Sequence, residues 1–210
     1  MIYRDLIERY NYSNITAVKY IMKRLASNTC SYVSVLKIYN ELRSQGIKTD
    51  KNLLYHVFEA AQNIYLTMPV LKFDYSLIKQ SNADKKVYFV DNGLLNALTI
   101  KFSDNNGLLL ENLVYLHYKR SAQAIYYYKN GKKCDFIVEQ MDGKIIPVQV
   151  TWELKEEATL KRELSGMVAA CKYLKVKKGI MVTRSEERLI KSEGISIQLI
   201  SVIDLLLSKK

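Results

Sequence analysis

Little in this chain is rigid, oxidisable or membrane-like, and each shortage excludes a class of protein. Cysteine occurs three times, at Cys30, Cys134 and Cys171, with no CxxC pair. An odd number of scattered thiols builds no disulfide scaffold; buried thiols in a reducing cytosol are the expectation. The two histidines, His56 and His117, are too far apart in sequence to read as a structural zinc site. Two prolines and eight glycines in 210 residues leave no composition for a long flexible linker. No apolar run reaches the roughly 18 residues of a membrane span, and the N-terminus has no signal-peptide core, so a soluble cytoplasmic protein with no membrane partner is expected. A phosphate-binding G-x-x-x-x-G-K-[ST] loop is also missing, which excludes ATP binding through this chain by that device.

What is abundant is tyrosine, sixteen in all, and positive charge. The formal net charge is +11, shared between the halves: residues 1–90 carry 13 Lys+Arg against 7 Asp+Glu, and residues 91–210 carry 19 against 14. The surplus is therefore no detachable basic tail. It attracts a polyanion, nucleic acid above all, and equally fits docking to an acidic partner protein. Apolar residues at 49% and charged residues at 25% are ordinary for a globular chain of one large domain or two small ones.

Periodicity divides the chain in two. Ile15, Val18, Met22 and Leu25 recur at helical spacing after Ser13-Asn14. Val35, Ile38, Tyr39 and Leu42 repeat the pattern between Ser34, an N-cap, and Gly46, a stop. Thr49 is the expected cap of a third helix with Leu53, Leu54, Val57, Phe58 and Ala61 inside. Residues 64–73 and 86–90 then read as two strands. Three helices and a two-stranded wing make a winged helix over residues 1–92. Its third helix would read a nucleic-acid groove with Lys48, Lys51, Asn52, Tyr55 and His56. The same residues also suit the plain solvated face of a small helical module, and winged helices join proteins as well as read DNA.

Asp91-Asn-Gly93 breaks the pattern, a short helix over 94–98 follows, and Asp104-Asn-Asn-Gly107 reads as a turn. Beyond it come a helix over 108–120, strands over 125–128, 133–139 and 144–150, a helix over 159–173, a strand over 179–183, a short helix over 185–192, a strand over 195–200 and a last helix over 203–207. That order predicts a mixed α/β sheet flanked by helices over residues 93–210. The pairing of the second and third strands is a choice between two registers. A two-residue Asp142-Gly143 turn would set Asp135 opposite Val150 and mix polar with apolar faces. One more loop residue sets Phe136 opposite Val148 and Asp135 opposite Gln149. Cys134, Phe136, Val138, Ile146, Val148 and Val150 then share one face, and Asp135, Gln149 and Thr151 the other. A one-residue slip flips every side chain, so the second register is expected.

Glu111 on a helix, Asp135 on a strand and Gln149-x-Thr151 on the next strand follow the layout of the PD-(D/E)XK nuclease site, acid, acid, and acid-x-Lys. Glu111 lies on the stripe Leu108, Glu111, Tyr115, Tyr118 and can point toward Asp135. Two-metal phosphodiester chemistry needs anionic ligands for Mg²⁺ and a cation beside the attacking water. Gln149 offers a neutral carbonyl and Thr151 no charge, so the catalytic set Glu111, Asp135 and Gln149 reads as damaged. Glu111 and Asp135 would be metal ligands, and Mg²⁺ a cofactor, only in an active nuclease. Lys133, Lys119, Arg120, Lys161 and Arg162 are cations near this place that can meet phosphates, while Glu153 and Lys155 are nearby charges that the pattern does not position. Tyr126, Tyr127 and Tyr128 alternate across a strand, so at least one belongs to the core.

The stretches Ile2–Arg9, Lys86–Leu94, Leu110–Val114, Tyr126–Tyr128, Cys134–Val138, Pro147–Val150 and Leu160–Leu164 resemble, in this order and spacing, the C-terminal region of prokaryotic AAA-type ATPases, a region named domain of unknown function 4143. The resemblance implies an ATPase module, which this chain lacks, then a winged helix, then a PD-(D/E)XK-like domain. Glu111 and Asp135 match the nuclease acids by position; Gln149 and Thr151 depart from acid-x-Lys. The expected function is a non-catalytic accessory region that binds nucleic acid, the ATPase module or another partner protein. The alternative is an active Mg²⁺-dependent DNA endonuclease.

Overall fold

A computed structural model describes residues 2–99 and 105–208, which form two compact units. Each unit is assembled from two stretches of the chain. Of the described residues, unit 1 takes 2–69 and 84–99, and unit 2 takes 70–83 and 105–208. The physical reason lies in strand β1 (Thr67–Lys72): its last residues leave the helices to pair in parallel with β3 (Ala122–Asn130), Leu71 beside Tyr126 and Lys72 beside Tyr127.

Unit 1 begins with a π-helical turn, Ile2–Glu8, followed by α1 (Ile15–Ser27), α2 (Val35–Ser44) and α3 (Lys51–Asn63). Asn14 and Ser34 cap the first two helices, accepting from the amides of Ala17 and Lys37. The cap of α3 is Asp50, not Thr49: its Oδ1 accepts from Leu53 N–H at 2.7 Å. A carboxylate beside the helix's positive end does this better than a hydroxyl. Val18, Ile21, Met22, Leu25, Ile38, Leu42, Leu54 and Val57 are buried, as the spacing requires. Strand β2 (Lys86–Phe89) neighbours β1, an isolated antiparallel bridge joins Tyr32 to Lys86, and α5 (Asn92–Leu98) follows.

Unit 2 is a mixed sheet with helices on both faces. Its strands run in the order β1, β3, β4 (Lys132–Gln140), β5 (Ile145–Val150), β6 (Lys178–Thr183), β8 (Ile195–Ser201) and β7 (Arg188–Ser192). With β2 the strands number eight among the described residues. Helix α4 (Leu77–Ser81) follows β1, and α6 (Asn106–Lys119) begins within the expected turn, whose Asp104 lies outside the described residues. The expected short helix at 185–192 is instead the edge strand β7. It is tied antiparallel to β8 by a two-residue turn, Glu193-Gly194, with both φ angles positive at 49° and 77°. That turn matches the twist of a hairpin and holds Arg188–Ser192 extended.

Phe136 pairs with Val148, Ile137 with Pro147 and Val138 with Ile146, which is the expected register. The connection is the three-residue loop Met141-Asp142-Gly143. It is closed by Gln140 N–H on Lys144 carbonyl at 2.8 Å, with Gly143 at φ +79°. A bulge in the β3–β4 pairing follows Tyr126–Ile137, so Tyr128 meets Cys134. Cys134 therefore joins Ile137 in the core under α7 (Glu157–Leu174), and the expectation that Cys134 shares a face with Phe136 fails there. Phe136 instead stacks on Tyr115 of α6, ring centroids 6.2 Å apart. Helix α8 (Val202–Leu207) closes the described chain. All three cysteines are free and buried. Among the described residues no helix is long and apolar enough to cross a membrane.

Candidate functional site

The face carrying Asp135 and Gln149 is not a polar, solvated one. Helix α7 covers it, leaving Gln149 only 5% and Ile137 0% exposed. What brings α7 so close is Gly166. A Cβ built there would stand 1.9 Å from the carbonyl oxygen of Lys133, so only glycine lets the helix lie against β4. One turn earlier, Glu163 points into the same space. It sits within the apolar stripe Leu160, Leu164, Met167 and Cys171 that binds α7 to the sheet.

Gln149 joins everything there. Its Nε2 donates to Asp135 Oδ2 at 2.7 Å and to Glu163 Oε2 at 2.6 Å, while its Oε1 accepts the Asp135 N–H at 3.1 Å. The amide's orientation follows from its partners, because the reverse would turn an oxygen toward two carboxylates. Asp135 Oδ2 also accepts the Val150 N–H at 3.1 Å. Arg162 donates through Nε and Nη2 to Glu163 Oε1 at 2.9 and 2.6 Å. Burial raises the pKa of the Glu163 carboxyl; Arg162's hydrogen bonds work against it and the charge of Asp135 adds to it.

The other expected residues are distributed around this node. Glu111 is in α6, one turn before Tyr115, on the helix that packs against the Phe136 face. Lys133 gives its carbonyl to the Gly166 contact. Lys161 pairs with Glu157 across one turn at 3.6 Å, and both side chains are exposed. Glu153 and Lys155 pair with each other at 2.7 Å. Lys48, Lys51 and Asn52 are exposed in unit 1; the Lys48 carbonyl accepts from Asn14 Nδ2 and the Lys51 ammonium lies 5.6 Å from the Tyr39 ring centre. Tyr127 and Tyr128 are buried, and Tyr126 is half-buried. Sequence reasoning missed Glu163. Its signal was an acid set inside the apolar stripe of a helix, where a charge belongs only if it has a partner.

The donor set does not fit a hard divalent cation between Asp135 and Glu163. Such an ion needs several oxygens at about 2.0–2.6 Å, and the space between these carboxylates holds two amide hydrogens. Among the described residues no group of three or more His, Cys, Asp or Glu side chains converges as a metal site.

The model of the family described as domain of unknown function DUF4143 matches residues 106–203. That range runs from α6 to the start of α8 and contains the Asp135–Gln149–Glu163 node. The chain is also similar to an uncharacterized protein of Methanocaldococcus jannaschii, 29% identical over 83% of this chain and 39% of the relative. An uncharacterized protein of Haemophilus influenzae is 26% identical over 74% of this chain and 39% of its own length. The matched part is thus about two-fifths of either relative.

Proposed function

We propose that this chain is the non-catalytic accessory region of an AAA-type ATPase, pairing a winged helix with a degenerate PD-(D/E)XK-like domain that binds nucleic acid or a partner protein. The observation that carries the non-catalytic part is the Gln149 amide held between Asp135 and Glu163. It supplies hydrogen-bond donors where a nuclease needs metal-binding oxygens, and Thr151 supplies no lysine. Removing such charge stabilisation from phosphoryl chemistry costs about 3 kcal/mol of barrier. Three capped helices, the β1–β2 pair and the Tyr32–Lys86 bridge support the winged-helix reading. The exposed side of α3, with Lys51, Asn52, Tyr55 and His56, supports the nucleic-acid reading. The greater length of the relatives leaves room for the ATPase module.

The test is incubation of purified protein with plasmid and branched DNA in Mg²⁺ or Mn²⁺, beside a titration of duplex DNA at two salt concentrations. No cleavage is expected, together with micromolar or weaker duplex binding that falls as salt rises. Replacing Lys48 and Lys51 by Glu should weaken that binding more than replacing Lys209 and Lys210. Cleavage that vanishes in Asp135→Ala would promote the Mg²⁺-dependent endonuclease instead. Absence of binding at low salt would leave the docking of a partner protein.

A further inference from the structure

Unit 2 carries a second surface that the Asp135 node does not use. Phe73, Tyr75, Tyr126, Tyr128 and Tyr173 form a continuous group of rings. Tyr75 lies 5.5 Å from Tyr173 and 5.4 Å from Phe73; Tyr173 lies 5.3 Å from Tyr128, and Phe73 5.5 Å from Tyr126. The inner members belong to the edge of the core under α7. The outer one does not: Tyr75 is 70% exposed, next to Leu77 at 78% and Ile78 at 73%. Three large apolar side chains at that exposure within four residues form a patch that folding alone does not require.

Tyr75 is also held in place. Phe73 N–H donates to the Tyr127 carbonyl at 2.7 Å, Asp74 takes the Ser76 N–H at 3.1 Å, and Lys72 pairs with Asp74 at 3.3 Å. The ring is therefore presented on an ordered turn, with one side packed on aromatics and the other open.

Positive charge outweighs negative around it, since Asp74 is paired with Lys72. The stretch Lys172–Lys178, which contains Tyr173, has four lysines and no acid. Lys172 is engaged by Glu193, but Lys175, Lys177 and Lys178 are exposed and make no ion pair among the described residues. Lys79 on α4 is exposed as well.

We infer that the Tyr75–Tyr173 surface binds single-stranded nucleic acid, bases stacking on the open ring of Tyr75 while phosphates meet Lys175, Lys177 and Lys178. Open aromatic faces and a lysine border are the two parts such a site needs. A duplex keeps its base faces stacked and cannot use Tyr75, and an uncharged proline-rich peptide would leave the lysines without a counterpart. Its residues belong to unit 2 and those of α3 to unit 1, so the inference stands whether or not α3 contacts duplex DNA.

The test is fluorescence anisotropy of labelled oligo(dT) at low salt, with duplex of mixed sequence titrated in parallel. The parent should bind oligo(dT), and Tyr75→Ala should weaken this about tenfold while leaving duplex binding unchanged. Tyr75→Trp should preserve or tighten it, which a merely apolar packing role would not require. Lys177→Glu with Lys178→Glu should weaken binding and flatten its salt dependence, and these exposed changes serve even if Tyr75→Ala disturbs the turn. Equal affinity of the parent and both the Tyr75→Ala and the double lysine variant overturns the inference. Failure of the parent to bind oligo(dT) overturns it too and leaves the patch to a protein partner. Loss of duplex binding in the Lys48→Glu, Lys51→Glu variant with oligo(dT) binding intact shows that the two surfaces act separately.

Discussion

Gln149 and Glu163 are fourteen residues apart in sequence and share a buried hydrogen bond of 2.6 Å from Nε2 to Oε2. The same nitrogen holds Asp135 at 2.7 Å, so one neutral amide keeps two carboxylates together beneath α7. Its removal has a definite consequence. Gln149→Ala leaves the Asp135 N–H without its acceptor and the two carboxylates without the donor between them. Unfolding in urea should show a loss of about 3 kcal/mol, with an unchanged m-value. A loss below about 1 kcal/mol would mean that water replaces the amide and that the node is not structural.

Gln149→Glu converts the node into three acids around one point. Repulsion should lower its stability without metal, and Mn²⁺ should restore it because the ion then has several oxygens to bind. Thermal melts of the variant should rise by roughly 5–10 °C at saturating Mn²⁺, while the parent's melt should not move. An equal response in both proteins would place the metal elsewhere.

Gly166 is the contact that sets the depth of α7. Gly166→Ala drives a methyl group into the Lys133 carbonyl, 1.9 Å from the ideal Cβ position, and backbone offers no rotamer by which to yield. A cost of about 2–3 kcal/mol is expected in chemical unfolding, despite alanine's better helix propensity. A stabilised variant would show that α7 shifts freely and that its packing does not hold Glu163 on Gln149.

The pH dependence follows from the raised pKa of Glu163, caused first by burial. A buried acid of this kind favours the folded state fully while it is protonated, below its unfolded pKa. That contribution is lost as pH rises through the higher folded pKa. Glu163→Gln imitates the protonated side chain and does not titrate. The variant should therefore gain on the parent in urea unfolding as pH is raised from about 5 to about 8. A difference that is flat in pH, or that moves the other way, would mean that Arg162 outweighs burial at this carboxyl.

The sequence alone determined the helices of unit 1, the central hairpin and its register. Each rests on local chemistry: Ser34 as a cap, Gly46 as a stop, and an apolar alternation on β4 and β5 that a one-residue slip would put in the wrong place. It also placed Asp135 opposite Gln149 on neighbouring strands, through the register that the apolar residues demand. Only the tertiary structure decided where residues 70–83 belong, because the parallel pairing of Leu71 with Tyr126 links segments more than fifty positions apart. The Glu193-Gly194 turn made β7 a strand, since edge pairing outweighed the helical look of residues 185–192. The β3–β4 bulge moved Cys134 to the α7 face, against simple alternation. And it brought Glu163 onto Gln149, because the close approach of α7 depends on the missing Cβ of Gly166, a fit between a helix and a strand that no pattern within either one records.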